Sequence, residues 1–149
     1  MISTKLHIDT ASAQKAILQT ILYFDIFNYP LTENEIVDNC SVPLNLTDAR
    51  TTLSELTFSG CLKLINDHYM PPWAKPENVE RRLKGNKRAK QMMEEAYFRS
   101  KKASRLPFIK GLCISGSLSK NYFDDHSDID FFVITKANRL WIWLTFKFR

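Results

Sequence analysis

Residues 108–120 read FIKGLCISGSLSK, and residues 127–135 read SDIDFFVIT. The first stretch is an apolar run of strand length that leads into a Gly-Ser turn, and the second opens with two carboxylates before it becomes apolar. A short helix is expected after the turn. The predicted order of this part of the chain is therefore strand, Gly-Ser turn, short helix and strand.

The turn and the two aspartates have the chemistry of a phosphate and metal site. Gly116 lets the backbone approach a phosphate, the helix that follows offers free N–H groups, and Ser117 adds a hydroxyl. Asp128 and Asp130 are expected on one face of the second strand, with roughly 6 to 7 Å between their α-carbons. Such a pair suits two Mg²⁺ ions roughly 4 Å apart. A P-loop would need a lysine directly after Gly116, and a calcium loop would need a central glycine and a late glutamate.

At these residues the chain resembles the polymerase-β-like nucleotidyltransferase superfamily. The signature is an apolar residue, Gly-Ser or Gly-Gly, about ten further residues, and Asp-x-Asp or Asp-x-Glu. It is filled by Ile114, Gly116, Ser117, Asp128, Asp130 and Phe131. The stretch YFDIFNYPLT at residues 23–32 extends the resemblance to a bacterial group in which an N-terminal winged-helix-like region precedes the nucleotidyltransferase domain. The expected fold class is therefore α+β, with a mixed sheet in the C-terminal domain.

The resemblance implies transfer of a nucleoside monophosphate from a nucleoside triphosphate to an acceptor that the sequence does not identify. Gly116, Ser117 and Lys120 would hold the triphosphate, while Asp128 and Asp130 would be catalytic and hold two Mg²⁺ ions. The superfamily's third carboxylate has no candidate, because no Asp or Glu follows Asp130. We therefore expect a truncated domain with weak or no activity, and whether the chain is an enzyme stays open. The alternative is a non-catalytic regulatory protein that binds nucleotides or nucleic acid.

Residues 1–74 are expected to form the winged-helix-like domain. Apolar residues at helical spacing predict a first helix over residues 13–28, Thr32 and Glu35 form a capping box for a second, and Thr47 is expected to cap a third that ends at Gly60. A hairpin over residues 61–70 follows. The segment carries four basic and eight acidic side chains. An acidic domain is a poor match for DNA, so a packing or protein-interaction role is expected instead.

Residues 75–106 are expected to form a basic linker helix, before the incomplete nucleotidyltransferase domain at 107–149. Gly85 and Asn86 are expected to interrupt or kink it. Residues 75–110 hold twelve basic and four acidic side chains, whereas residues 111–149 are nearly neutral. Six cations lie within ten residues: Arg81, Arg82, Lys84, Lys87, Arg88 and Lys90. They are either a solvated helix face or a strip that binds nucleic acid or polyphosphate.

Composition limits the remaining choices. The chain is 44% hydrophobic and 25% charged, which is enough to fill a core, and no apolar run reaches the roughly 18 residues of a membrane span. No secretory signal is recognised, so a cytoplasmic location and no membrane partner are expected. The three cysteines have neither CxxC nor metal-site spacing and are expected to be buried thiols. The aromatic stretch at residues 140–149 is expected to be a helix buried against a sheet.

Overall fold

The computed structural model describes residues 9–139, and its fold class is α+β, as expected. Within that range it contains four α-helices, one short 3₁₀ helix and two antiparallel pairs of strands. The aromatic stretch at residues 140–149 lies outside the described residues. The chain divides into two compact units, residues 1–82 and 83–149, and the division falls inside the longest helix. The three segments expected from the charge distribution remain a prediction.

The N-terminal unit begins with three helices, α1 (Thr10–Asp25), α2 (Glu33–Asn39) and α3 (Leu46–Phe58). The capping box is confirmed, because the Thr32 side chain accepts from the backbone of Glu35, whose carboxylate accepts from the Thr32 N–H. The prediction that Thr47 caps α3 is wrong. Asn45 has the extended backbone of an N-cap, and its Oδ1 accepts from the Asp48 N–H at 2.9 Å, so Thr47 already lies inside the helix.

The predicted hairpin is confirmed in a shorter form, as β1 (Lys63–Ile65) and β2 (His68–Met70). Asn66 and Asp67 both have positive φ, as a two-residue primed hairpin turn requires. Leu31 joins the hairpin through two backbone hydrogen bonds to Tyr69. One apolar core connects the three helices with the hairpin, formed by Ile17, Ile21, Leu31, Ile36, Leu53, Leu56, Leu62 and Tyr69.

The fourth helix, α4 (Glu77–Ala103), continues without a break through Gly85 and Asn86. The interruption expected there is therefore wrong. A Cβ at position 85 would collide with the ring of Tyr122, and the Gly85 carbonyl accepts from the Phe123 N–H at 3.2 Å. The glycine is explained by this close approach of a loop to the helix rather than by a turn in the helix axis.

The C-terminal unit contains strand β3 (Ile109–Ser115), the 3₁₀ helix η1 (Leu118–Lys120) and strand β4 (Asp130–Thr135). The strands are antiparallel, with Ser115 opposite Asp130 and Ile114 opposite Phe131. Ile114 and Phe131 pack with buried Ala89 and Ala96 of α4. A mixed sheet, as expected from the resemblance, remains a prediction.

Burial alternates along β4, and its outer face is open within the described residues. Phe132 is 62% exposed and Ile134 is 48% exposed, whereas Phe131 packs with Ala89 and Ala96 of α4. Cys113 lies opposite Phe132 on this face, and Cys61 follows the end of α3; both are exposed. The expectation that these two thiols are buried is therefore wrong. Among residues 9–139 no helix is long and apolar enough to cross a membrane.

Candidate functional site

Gly116 and Asp130, which are fourteen residues apart and belong to the two halves of the motif, are brought together at one end of the β3–β4 pair. Gly116 has a φ of +67°, a left-handed conformation that L side chains rarely adopt. The Asp130 carboxylate lies where a side chain at position 116 would stand, so that a Cβ there would clash with Oδ2. Both the backbone conformation and the space beside it therefore require glycine.

Asp128 lies outside the strand. The expectation that it begins β4 and shares a strand face with Asp130 is wrong, because β4 starts at Asp130. The partner strand explains the difference: β3 ends at Ser115, which pairs with Asp130, and Gly116 then turns the backbone away. Among residues 9–139 no strand pairs with Asp128. Its position is therefore set by the loop that precedes the strand.

That loop is organised by Asp124, which sequence reasoning did not assign to the site. Its Oδ1 accepts from the His126 N–H at 3.1 Å and from the Ser127 hydroxyl at 2.9 Å. Its Oδ2 accepts from the Tyr122 hydroxyl at 3.1 Å. An aspartate that bonds the backbone two residues ahead is a common turn device, and the Asp-x-x-Ser spacing was the available signal. Ser127 therefore has a structural role in this loop.

Helix α4 holds the same loop from the other side. Arg88 forms an ion pair with Asp125, and its guanidinium lies 5.7 Å from the centre of the Phe123 ring. The Asn86 amide donates to the Asn121 carbonyl at 2.5 Å. Phe123 is 5% exposed. Arg88 and Asn86 of the basic helix therefore help to position the loop that carries the metal-binding candidates. No local sequence motif indicates this role of the helix.

The turn after Gly116 has several hydrogen-bond donors without a partner in the described part of the chain. Within residues 9–139 the backbone N–H groups of Ser117 and Leu118 have no acceptor, and the Ser117 hydroxyl and the exposed Lys120 side chain have no partner. Leu118 is fully buried and fixes the turn against α4. The helix that follows is a single 3₁₀ turn of three residues. A helix of this length has no appreciable dipole, so any anion would rely on these individual donors.

Mg²⁺ fits the two carboxylates that the sequence assigned to it. Asp128 and Asp130 are exposed, and neither forms a hydrogen bond or ion pair with residues 9–139. In the described part of the chain no group of three or more His, Cys, Asp or Glu side chains is placed to hold a metal ion. Mg²⁺ usually binds through one or two carboxylates together with water and substrate phosphates, so two exposed carboxylates are a sufficient protein contribution.

The six-cation strip expected on α4 is not one surface. Arg82 is 6% exposed, donates to the Pro30 carbonyl and to the Glu35 carboxylate at 2.5 Å, and lies 4.4 Å from the Tyr29 ring centre. Arg88 is occupied by its ion pair. Each of these two arginines stabilises the fold of its own unit. The sequence predicts that the strip is either a solvated helix face or a nucleic-acid or polyphosphate site, and these two residues are neither.

In the N-terminal unit, the cation of α3 is also paired within its own unit. Arg50 lies 3.0 Å from the Glu33 carboxylate, although its own side chain is 70% exposed. An arginine so placed offers DNA less net charge than an isolated one. That DNA is not the partner of this helix remains a prediction.

Comparison of the chain with models of protein families, with curated proteins and with solved structures finds no significant match.

Proposed function

We propose that the C-terminal unit is a nucleotide- and Mg²⁺-binding domain of the polymerase-β-like nucleotidyltransferase type, which transfers a nucleoside monophosphate from a nucleoside triphosphate. The observation that carries this proposal is the contact between Gly116 and the Asp130 carboxylate. It supports the proposal because the Gly-Ser turn and Asp130, one of the two aspartates of the sequence motif, lie at the same end of the strand pair. Neither half alone would distinguish this class from an ordinary turn or a solvated acidic loop.

The residues divide the work by their chemistry. Gly116 lets a phosphate approach the backbone, and the free N–H groups of Ser117 and Leu118 with the Ser117 hydroxyl can donate to its oxygens. Lys120 adds a positive charge at the same turn. Asp128 and Asp130 would hold Mg²⁺, and the metal would neutralise the negative charge that develops on the phosphate during transfer. The acceptor of the nucleotidyl group is not indicated by these residues.

We also propose that residues 1–74 are a winged-helix-like domain that serves in packing or protein interaction. Support comes from the order of three helices and a hairpin around one core, and from the net charge of −4 that the sequence gives this segment. The Arg50–Glu33 pair adds to the argument, since it reduces the positive field of the third helix.

Calorimetric titration with each of the four nucleoside triphosphates, with and without Mg²⁺, tests the nucleotide site. We expect binding that requires Mg²⁺ and that weakens at least about tenfold in Asp128→Asn and in Asp130→Asn. Gly116→Ala should abolish it, because the added Cβ meets the Asp130 carboxylate at a positive φ. Asp38→Asn, an exposed carboxylate of α2, is the matched control for the lost charge.

Pyrophosphate release from labelled nucleotide extends the test from binding to turnover. Release that persists unchanged in Asp130→Asn would contradict the assignment, as would nucleotide binding that ignores both Mg²⁺ and Gly116→Ala. Binding without turnover would support the regulatory alternative, in which the site holds nucleotide without transfer.

A further inference from the structure

The outer side of α4 carries cations that have no partner in the described residues. Between positions 83 and 110 the sequence has nine basic and two acidic side chains. Several of the basic ones are exposed and form no hydrogen bond or ion pair with residues 9–139, namely Lys87, Lys90, Lys101 and Lys102. Of the two carboxylates, Glu95 forms an ion pair with Arg99 at 2.7 Å, so Glu94 is the acidic side chain that offsets the lysines. The local charge is therefore positive and available.

Two aromatic rings stand among these lysines. Tyr97 and Phe98 are each 67% exposed, although the opposite side of the same helix is buried through Ala89 and Ala96. Helical spacing places Tyr97 on the same side as Lys90, seven residues before it. We define the α4 outer face as these two rings with Lys87, Lys90, Lys101 and Lys102. Solvation alone explains the lysines, but it does not explain two adjacent exposed rings between them.

We propose that the α4 outer face binds single-stranded nucleic acid, with the lysines on phosphates and the two rings stacked on bases. The combination of a positively charged track with exposed aromatic rings is what sequence-tolerant single-strand binding needs. From Lys87 to Lys102 the helix rises about 22 Å, which matches about six nucleotides at the ~3.4 Å spacing of a stacked strand. The pattern of charge along the chain does not by itself reveal this face, because its two rings follow the densest cations.

An anionic membrane is the competing surface, and the arrangement fits it less well. A helix that lies in a membrane interface separates a broad apolar face from its cationic one. Here the rings and lysines share one side of the helix, and the apolar side is already buried in the protein. The lysines would have to enter the interface together with the rings.

The proposed surface is distinct from the nucleotide site. Phe131 and Ile114 turn toward α4, so Asp130, next to Phe131 on β4, projects from the opposite side of the strand pair. Nucleic acid on the α4 outer face would be anchored away from the Gly116 turn. Binding to this face therefore does not depend on whether the nucleotide site works, and Asp130→Asn should leave it unchanged.

Fluorescence anisotropy of the full 149-residue chain with labelled oligo-dT and oligo-U of about 20 nucleotides measures the binding, and the two probes separate DNA from RNA. Four phosphate contacts predict a slope of log K against log salt of about −2.8, or a loss of roughly 50-fold between about 50 and 200 mM salt. Tyr97→Ala and Phe98→Ala should each weaken binding about 5- to 150-fold. Phe58→Ala, which removes a 96% exposed ring from α3, should have no effect.

The lysines are tested with a charge-matched pair of variants. Lys90→Gln/Lys101→Gln should make the salt slope shallower by about 1.4, whereas Lys15→Gln/Lys75→Gln removes the same charge elsewhere and should not. Circular dichroism confirms that each variant folds. The proposal is overturned if neither oligonucleotide binds at low salt, if the alanine variants bind as the parent does, or if the chain sediments with phosphatidylserine vesicles and not with oligonucleotides.

Discussion

Replacement of Gly85 by alanine should destabilise the C-terminal unit, although the same change stabilises most helices. In an exposed helix interior, alanine is favoured over glycine by about 1 kcal/mol. At position 85 the new Cβ would overlap the Tyr122 ring. That ring cannot simply swing away, because its hydroxyl donates to Asp124 and the next residue's N–H donates to the Gly85 carbonyl. Overpacking of this kind costs about 1 to 3 kcal/mol, so the net effect is a loss of about 0 to 2 kcal/mol.

Urea unfolding followed by circular dichroism measures this change, and a double-mutant cycle isolates its cause. In a Tyr122→Ala background the obstacle is gone, and Gly85→Ala should then stabilise by about 1 kcal/mol. The coupling free energy between the two positions should therefore be about 1 to 3 kcal/mol. If Gly85→Ala stabilises the parent chain as it would an ordinary helix, with no coupling to Tyr122, the close packing of loop and helix described above is wrong.

Two further predictions concern the N-terminal unit. Asn45→Ala should lower the free energy of unfolding by about 1 kcal/mol because it removes the N-cap of α3. Thr47→Ala, at the cap expected from the sequence, should change this free energy far less. Chemical denaturation of both variants measures the difference. Burial raises the pKa of Glu35, but hydrogen bonds from Arg82 and Thr32 outweigh this and hold it below its ordinary value of 4.5. The ionised Glu35–Arg82 pair therefore stabilises the fold above pH 4.5, and this stability is lost as the pH falls through the lowered pKa. The loss of unfolding free energy caused by Arg82→Ala, measured by chemical denaturation, should therefore shrink between about pH 7 and pH 3. A loss that is the same at both pH values would argue against the pair.

Local patterns in the sequence were sufficient for most of the secondary structure. The apolar spacing of α1, the Thr32 capping box and the Asn66–Asp67 turn each depend on residues close in the chain, so each is predictable without any tertiary contact. The Gly-Ser turn and its two aspartates are local signals in the same sense. Composition likewise separated the acidic N-terminal segment from the basic helix.

Other features depended on contacts between residues far apart in sequence. The packing of distant segments decided three of these features. It placed the Tyr122 ring against Gly85 in an unbroken α4, and it buried Arg82 as a partner of Glu35 rather than leaving it a surface cation. It also set the residue at which β4 starts. The sequence shows which side chains are charged and which residues lack a Cβ. The energetic effect of each such feature depends on the group that folding places beside it. The sequence by itself determined the helices, the hairpin and the candidate residues of the site. Only the tertiary structure placed the Asp130 carboxylate against Gly116, because the end of β3 at Ser115 sets which residue of β4 lies opposite it.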